Sequence, residues 1–252
     1  MAHAHHRHIY HILSKKIGLA LLCLLFGGQA MGQSLNHPFY DFDRWIHFGF
    51  TVGTNFATLK YDRSASWYHQ NTPDSVVKVS AAGSPGITFG AVADLHLGSS
   101  KSYFREHFDL RFIPSLTITE RQFIFTMKDS STITKTIESA LVEFPLLVKF
   151  KSDRSGNIRF YVIGGADYSY DLSSTAKAAA NPANPKISIY PSNYAYQFGA
   201  GLDLYFPFFK FSPEIKVSQG INNVLVPANT PFSSIFSRFR SNFVYFSLYF
   251  EG

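Results

Sequence analysis

This sequence has almost nothing with which to cross-link a small domain, and no helix-length apolar run to carry it through a bilayer. Its 252 residues include a single cysteine, Cys23, so no intramolecular disulfide is available. An exported chain without disulfides must be held by a large sheet or core. Charged residues make up 16%, against the usual quarter or so. With 46% hydrophobic residues, that composition excludes disorder. The longest apolar run, Ile17 to Phe26, has ten residues, about half of what a spanning helix needs. No G-x-S-x-G elbow, H-E-x-x-H helix, phosphate loop or C-x-x-C pair occurs. Aromatic residues, by contrast, are plentiful: 26 Phe and 14 Tyr supply enough apolar surface for one large all-β domain or two ordinary ones.

The short apolar run follows Arg7, Lys15 and Lys16 and precedes Gly27, Gly28 and Ala30-Met31-Gly32-Gln33. A basic stretch, an apolar stretch and small residues before a cleavage point describe an N-terminal signal peptide over residues 1–32. A single membrane anchor fits less well, because the run is short and flanked by glycine. A lipid-modified Cys23 is disfavoured by the bulky Leu22 before it. Removing 1–32 takes away three basic residues and lowers the formal charge from +6 to +3. No basic stripe remains for nucleic acid, so none is expected as a partner. The same segment holds five of the ten histidines, so the run His3 to His11 leaves with the signal instead of forming a metal site.

After a lead-in over residues 33–45, expected to be periplasmic, the pattern has period two. In Ile46 to Leu59, Ile46, Phe48, Phe50, Val52 and Phe56 share one face; His47, Gly49, Thr51, Gly53 and Asn55 share the other. The split recurs around Ile87–Leu97, Phe108–Thr119, Val142–Phe150, Phe160–Asp171, Tyr194–Leu204, Phe209–Val217 and Val244–Phe250, giving eight strands and no convincing amphipathic helix. A soluble sandwich or barrel would turn the apolar face inward and show charge to water. Here the non-apolar face is rich in Gly and Ala and poor in Lys and Glu, which suits a narrow lumen filled by side chains. The expected fold is therefore all-β: an eight-stranded antiparallel transmembrane barrel over 46–252, apolar toward lipid and polar within.

The connections point the same way. Those at 60–84, 120–136, 172–191 and 219–238 read as long, and those at 98–105, 151–157 and 206–208 as short. Strict alternation of long and short suits an outer-membrane barrel with periplasmic termini and extracellular long loops. Trp45, Tyr103, Phe104, Tyr205, Phe206, Phe208 and Phe209 cluster at the short-turn end as interfacial girdle residues do, or serve as ordinary core aromatics. The stretch 176–185, rich in Ala, Asn and Pro, reads as a mobile external loop. Phe232, Ile235 and Phe236 read as loop packing or, less well, as a partner-binding edge.

The inward rows gather the candidate site residues: His47, Asp94, His96, Asp109, Arg111, Glu143, Lys149, Asp167, Asp203, Glu214 and Lys216. Carboxylates beside a histidine can do acid–base chemistry, and Asp94 with His96 offers two metal ligands without an evident third. In a narrow barrel, however, opposite charges are expected to pair, because a charge taken out of water needs a partner. The expectation is a structural network, with no catalytic residue, metal or cofactor.

Specific strings add a resemblance. The segment 198–216, Phe-Gly-Ala-Gly-Leu-Asp-Leu-Tyr-Phe-Pro-Phe-Phe-Lys-Phe-Ser-Pro-Glu-Ile-Lys, resembles the PorT family of the type IX (Por) secretion system. Trp45-Ile46-His47-Phe48-Gly49-Phe50, with Gly53 and Asn55, is similar to that family's first strand. Glu143-Phe144-Pro145-Leu146-Leu147-Val148-Lys149 and Ile189-Tyr190-Pro191-Ser192 add two matches, the former shared with wider outer-membrane barrel domains. The resemblance implies a non-enzymatic outer-membrane component that serves protein export and, in gliding relatives, motility, with outer-membrane lipid and other secretion-system proteins as partners. The alternatives are a small-solute channel or a ligand-binding barrel of unrelated role.

Overall fold

The computed structural model describes residues 45–64, 67, 76–98, 103–128, 131–174, 187–227 and 235–252. The expected signal peptide, the histidine run, Cys23, the lead-in up to residue 44 and the loop 176–185 lie outside them. The elements are β1 (Ile46–Arg63), β2 (Val76–His96), α1 (Tyr103–His107), β3 (Phe108–Phe112), β4 (Ser115–Met127), β5 (Thr132–Lys151), β6 (Ile158–Asp171), β7 (Ser192–Tyr205), β8 (Lys210–Gly220) and β9 (Phe236–Glu251). All ladders are antiparallel, and β9 pairs back onto β1 from Gly49↔Glu251 to Arg63↔Phe236, so the sheet closes on itself.

Among the described residues, nine strands occupy eight positions around this ring. β3 and β4 lie end to end, each flanked by β2 and β5. The interruption falls at Ile113-Pro114, where proline has no N–H to give the ladder. Its carbonyl still accepts from Ala91 N at 3.0 Å, and Ile113 N donates to the Pro145 carbonyl at 3.2 Å. Arg111, Ile113 and Ser115 all turn inward, so the alternation runs through the break.

The faces are the reverse of a soluble domain's. Phe48, Phe89, Phe160 and Tyr194 are more than half exposed, whereas Asn55, Asp94, Asp109, Arg111 and Lys149 are fully buried. On β1 the apolar outer row runs from Ile46 to Phe56, the 9–11 or so residues that a tilted strand needs to cross a bilayer. Beyond Phe56 the polarity switches. Thr58, Lys60 and Asp62 now face outward, while Ala57, Leu59 and Tyr61 take the inner positions. β4 repeats this, with Glu120 and Gln122 outside and Phe123 and Phe125 inside. Above the apolar belt the wall stands in water and is packed from within.

That switch corrects the expected connections. Strand takes up about half of segment 60–84 and most of 120–136: β1 and β2 are joined through 64–75, and β4 and β5 through 128–131. Polar outward residues on strands that outrun the belt had the look of loop. The connections at the terminal rim, where β1 starts and β9 ends, are 97–107, 152–157 and 206–209. Those at the opposite rim are 64–75, 128–131, 172–191 and 221–235. Strict alternation of long and short therefore fails, since 128–131 is short in residues and 97–107, which includes α1, is not.

Candidate functional site

The lumen is built in layers by the inward rows. Nearest the terminal rim, Arg111 of β3 is the hub. Its Nε donates to Asp94 Oδ1 at 2.7 Å and its Nη2 to Asp94 Oδ2 at 2.6 Å. Nη2 also reaches Glu251 Oε1 at 2.8 Å, and Nη1 reaches Glu214 Oε2 at 3.2 Å. One guanidinium thus engages carboxylates from three strands, using the planar fork that makes arginine the residue for such contacts. The Tyr161 and Tyr249 hydroxyls donate to Glu214 at 2.9 and 3.0 Å, and the Tyr249 ring lies 4.7 Å beneath the guanidinium.

Lysines complete the layer. Lys210 Nζ lies 2.7 Å from Glu251, and Lys149 Nζ lies 2.9 Å from Asp203, which also accepts from Ser212 at 2.6 Å. Lys151 Nζ lies 2.8 Å from Asp109, whose other neighbour is His96 Nδ1 at 2.5 Å. The His47 ring meets the His96 ring edge-on at 5.0 Å. His96 and Asp109 make the Asp–His half of a catalytic arrangement, but they are 2% and 0% exposed, so a reactant has no approach. Asp94, two residues from His96, is clamped by Arg111.

A second layer forms around Glu143, which accepts from Tyr245 at 2.6 Å and Thr117 at 2.7 Å. Asp167 lies near Glu143 and Lys216 and accepts from Gln197, while Lys216 sits 5.2 Å above the Tyr245 ring. Of the eleven candidates, Asp94, Arg111, Lys149, Asp203 and Glu214 form one continuous cluster. His47, His96 and Asp109 adjoin it, and Glu143, Asp167 and Lys216 belong to the higher layer. Lys151, Lys210, Glu251, Tyr161, Tyr245 and Tyr249 complete these layers without having been singled out. Strand parity marks them all: Glu251 continues the inward row Tyr245, Ser247, Tyr249.

Glycine makes room for this filling. Gly201 stands directly across from Tyr161, and a Cβ there would run into the phenol. Gly201→Val is expected to push Tyr161 off Glu214 and to lower stability by about 1–3 kcal/mol through overpacking, read as a fall in the urea midpoint of the purified barrel.

At the opposite rim the interior is apolar. Leu59, Val79, Phe123, Phe125, Ile137, Phe236 and Phe239 form a buried cluster, with the Phe123 ring 5.2 Å from Phe239 and 5.6 Å from Phe236. Two connecting segments cover it with Ile187, Ile189, Val224 and Leu225. They are tied by the bridge Ile189↔Leu225 and by Tyr190 N to the Val224 carbonyl at 2.8 Å. Val224 N in turn donates to the Phe239 carbonyl at 3.0 Å. Ile235 and Phe236 pack into this cluster; Phe232 lies outside the described residues. Around the terminal rim, Trp45, Tyr103 and Phe208 are exposed, Phe208 at 88%, at the level where an aromatic girdle meets the headgroups. Tyr205 instead is buried, 4.0 Å beneath Arg154.

A family model described as "Outer membrane protein beta-barrel domain" matches residues 31–226. Among solved structures, Neisserial surface protein A is 8% identical, with 80% of this chain and 95% of that chain covered and a TM-score of 0.39. OprG from Pseudomonas aeruginosa is 13% identical, with 81% and 94% covered and a TM-score of 0.41. Ail, the attachment invasion locus protein of Yersinia pestis, is 9% identical, with 82% and 98% covered and a TM-score of 0.36. A search of curated proteins finds no match.

Proposed function

The chain belongs to the outer membrane protein β-barrel domain family, and from that premise we propose that it is a sealed barrel serving protein export: an accessory or assembly factor of the type IX (Por) system, not its conduit. The outer-membrane location accords with the family and with the apolar outer belt. The proposed orientation puts the terminal rim in the periplasm and the opposite rim outside the cell. The export role is supported by the 198–216 string, which resembles the PorT family, together with the matches around Trp45, Glu143 and Ile189. Other secretion components are its proposed partners, with gliding motility as a dependent process where the host glides, and no catalytic step is assigned to it.

The observation that carries the accessory reading is the filled lumen. Arg111 and its carboxylates occupy one end and the phenylalanine cluster the other. An eight-stranded barrel has room for side chains but not for a protein. The same filling weighs against the small-solute channel.

Deleting the gene in its native host tests the proposal. The expected result is loss of cargo secretion, restored by a plasmid copy, with other outer-membrane barrels at normal levels. Unchanged cargo secretion would contradict it.

A further inference from the structure

The strands of the opposite rim do not end together. β5 begins at Thr132, but its neighbour β6 stops at Asp171, opposite Leu141. One more bond, from Leu172 N to the Ala140 carbonyl at 2.8 Å, closes that ladder. In an antiparallel strand the N–H and C=O of one residue point to the same side, and the side alternates along the chain. Ala140 therefore sets the phase: Glu138, Thr136 and Thr134 turn their backbone groups toward the side that β6 has left. The other side of β5 is taken by β4 from Thr126↔Thr132 to Ser115↔Glu143. Among the described residues no strand pairs with the vacated edge.

A groove of about 290 Å³ runs beside it, between Thr134–Glu138 on one side and Asp171, Ser173, Ile187 and Ile189 on the other. Ile137, Ile187 and Ile189 give it an apolar floor continuous with the buried cluster. On the outer surface Glu138 stands directly across from Glu120 of β4, and both are exposed. Among the described residues neither carboxylate has an ion-pair partner. Like charges facing each other across a ladder are destabilising, a cost that a cation on the next strand would reverse.

We propose that the β5 edge Thr134–Glu138 is a docking site for an extended segment of a partner protein, added to the sheet as a further strand. Main-chain hydrogen bonds would hold it, with alternate side chains setting the choice of partner. The segment carries a lysine or arginine on its outer face beside Glu138 and Glu120. The adjacent residue, pointing the other way in a period-two strand, is apolar and meets Ile137, Ile187 and Ile189. This site is separate from the sealed lumen and does not depend on the export reading.

The test uses the full protein in detergent micelles and a fluorescent peptide of alternating lysine and valine, about six residues long, followed by anisotropy. Thr136→Pro is expected to weaken binding by roughly tenfold or more. Its N–H faces the vacated side, so proline removes no bond within the barrel. Glu138→Lys is expected to weaken the lysine–valine peptide and to strengthen binding of a glutamate–valine counterpart. A heat-modifiable gel shift confirms that each variant is folded. Binding that ignores Thr136→Pro, or charge reversal that leaves both peptides unchanged, overturns the proposal. A wild-type dimer that Thr136→Pro turns into a monomer would place a second copy on the edge and overturn it as well.

Discussion

Arg111→Met is expected to lower the unfolding free energy of the barrel by about 3–5 kcal/mol, the cost of removing one member of a buried ionic cluster. Methionine keeps much of the volume, so the loss reports charge more than packing. Asp94, Glu214 and Glu251 would be left inside without the guanidinium that touches all three. Lys210 still reaches Glu251 at 2.7 Å, but Lys149 is 3.8 Å from Asp94 and is already committed to Asp203 at 2.9 Å. Adding Asp94→Asn should return part of the loss, because neighbours sharing one network are not additive. Urea unfolding in lipid vesicles, read by the gel shift, measures both. A loss for Arg111→Met below about 1 kcal/mol, the range of exposed pairs, would mean that the lumen is wet and the carboxylates are solvated.

Phe123→Ala is the second large effect, at the other end of the barrel. The Phe123 side chain is fully buried and touches the rings of Tyr61, Phe125, Phe236 and Phe239. Truncation of such a core aromatic costs about 3–5 kcal/mol. The loss should be local, because the cluster lies above the belt and the Arg111 network does not depend on it. Hydrogen exchange is expected to quicken at Tyr190, Val224 and Val226, whose amides tie down the covering segments. Amides of β6 and β7 within the belt should stay protected. Equal loss of protection in both regions would show that the cap and the barrel form one cooperative unit.

Much of this was legible in the sequence, because parity is a local property and survives without knowledge of the fold. His47, Asp94, Arg111, Lys149 and Glu214 could be placed inside from alternation with Phe and Leu alone. What parity cannot give is which charge meets which. Arg111 and Glu251 are far apart in the chain and meet only because β9 closes onto β1 and β8. Glu251 holds the next inward position after Tyr249, so parity marks it while its partner Arg111 stays out of sight.

The upper wall hides from the sequence for a physical reason. An apolar outer row marks a strand within the belt, and above the lipid that row becomes Lys60, Asp62, Glu120, Gln122 and Glu138. Alternation persists there, but the apolar set, Leu59, Phe123, Phe125 and Ile137, has moved to the inner face. A chain that changes solvent along a single strand keeps its period and swaps its faces. The covering segments around Ile189 and Leu225 carry no periodic signal, so only the tertiary structure shows that they close the mouth.

The barrel is filled from rim to rim, by an ionic network at one end and an apolar cap at the other. Single-channel recording of the purified protein in planar bilayers tests this filling most directly. A silent membrane is expected for the wild type, and silence too for Phe123→Ala, because the Arg111 network alone still blocks the lumen. Stable, reproducible conductance steps from the folded wild-type protein would contradict it.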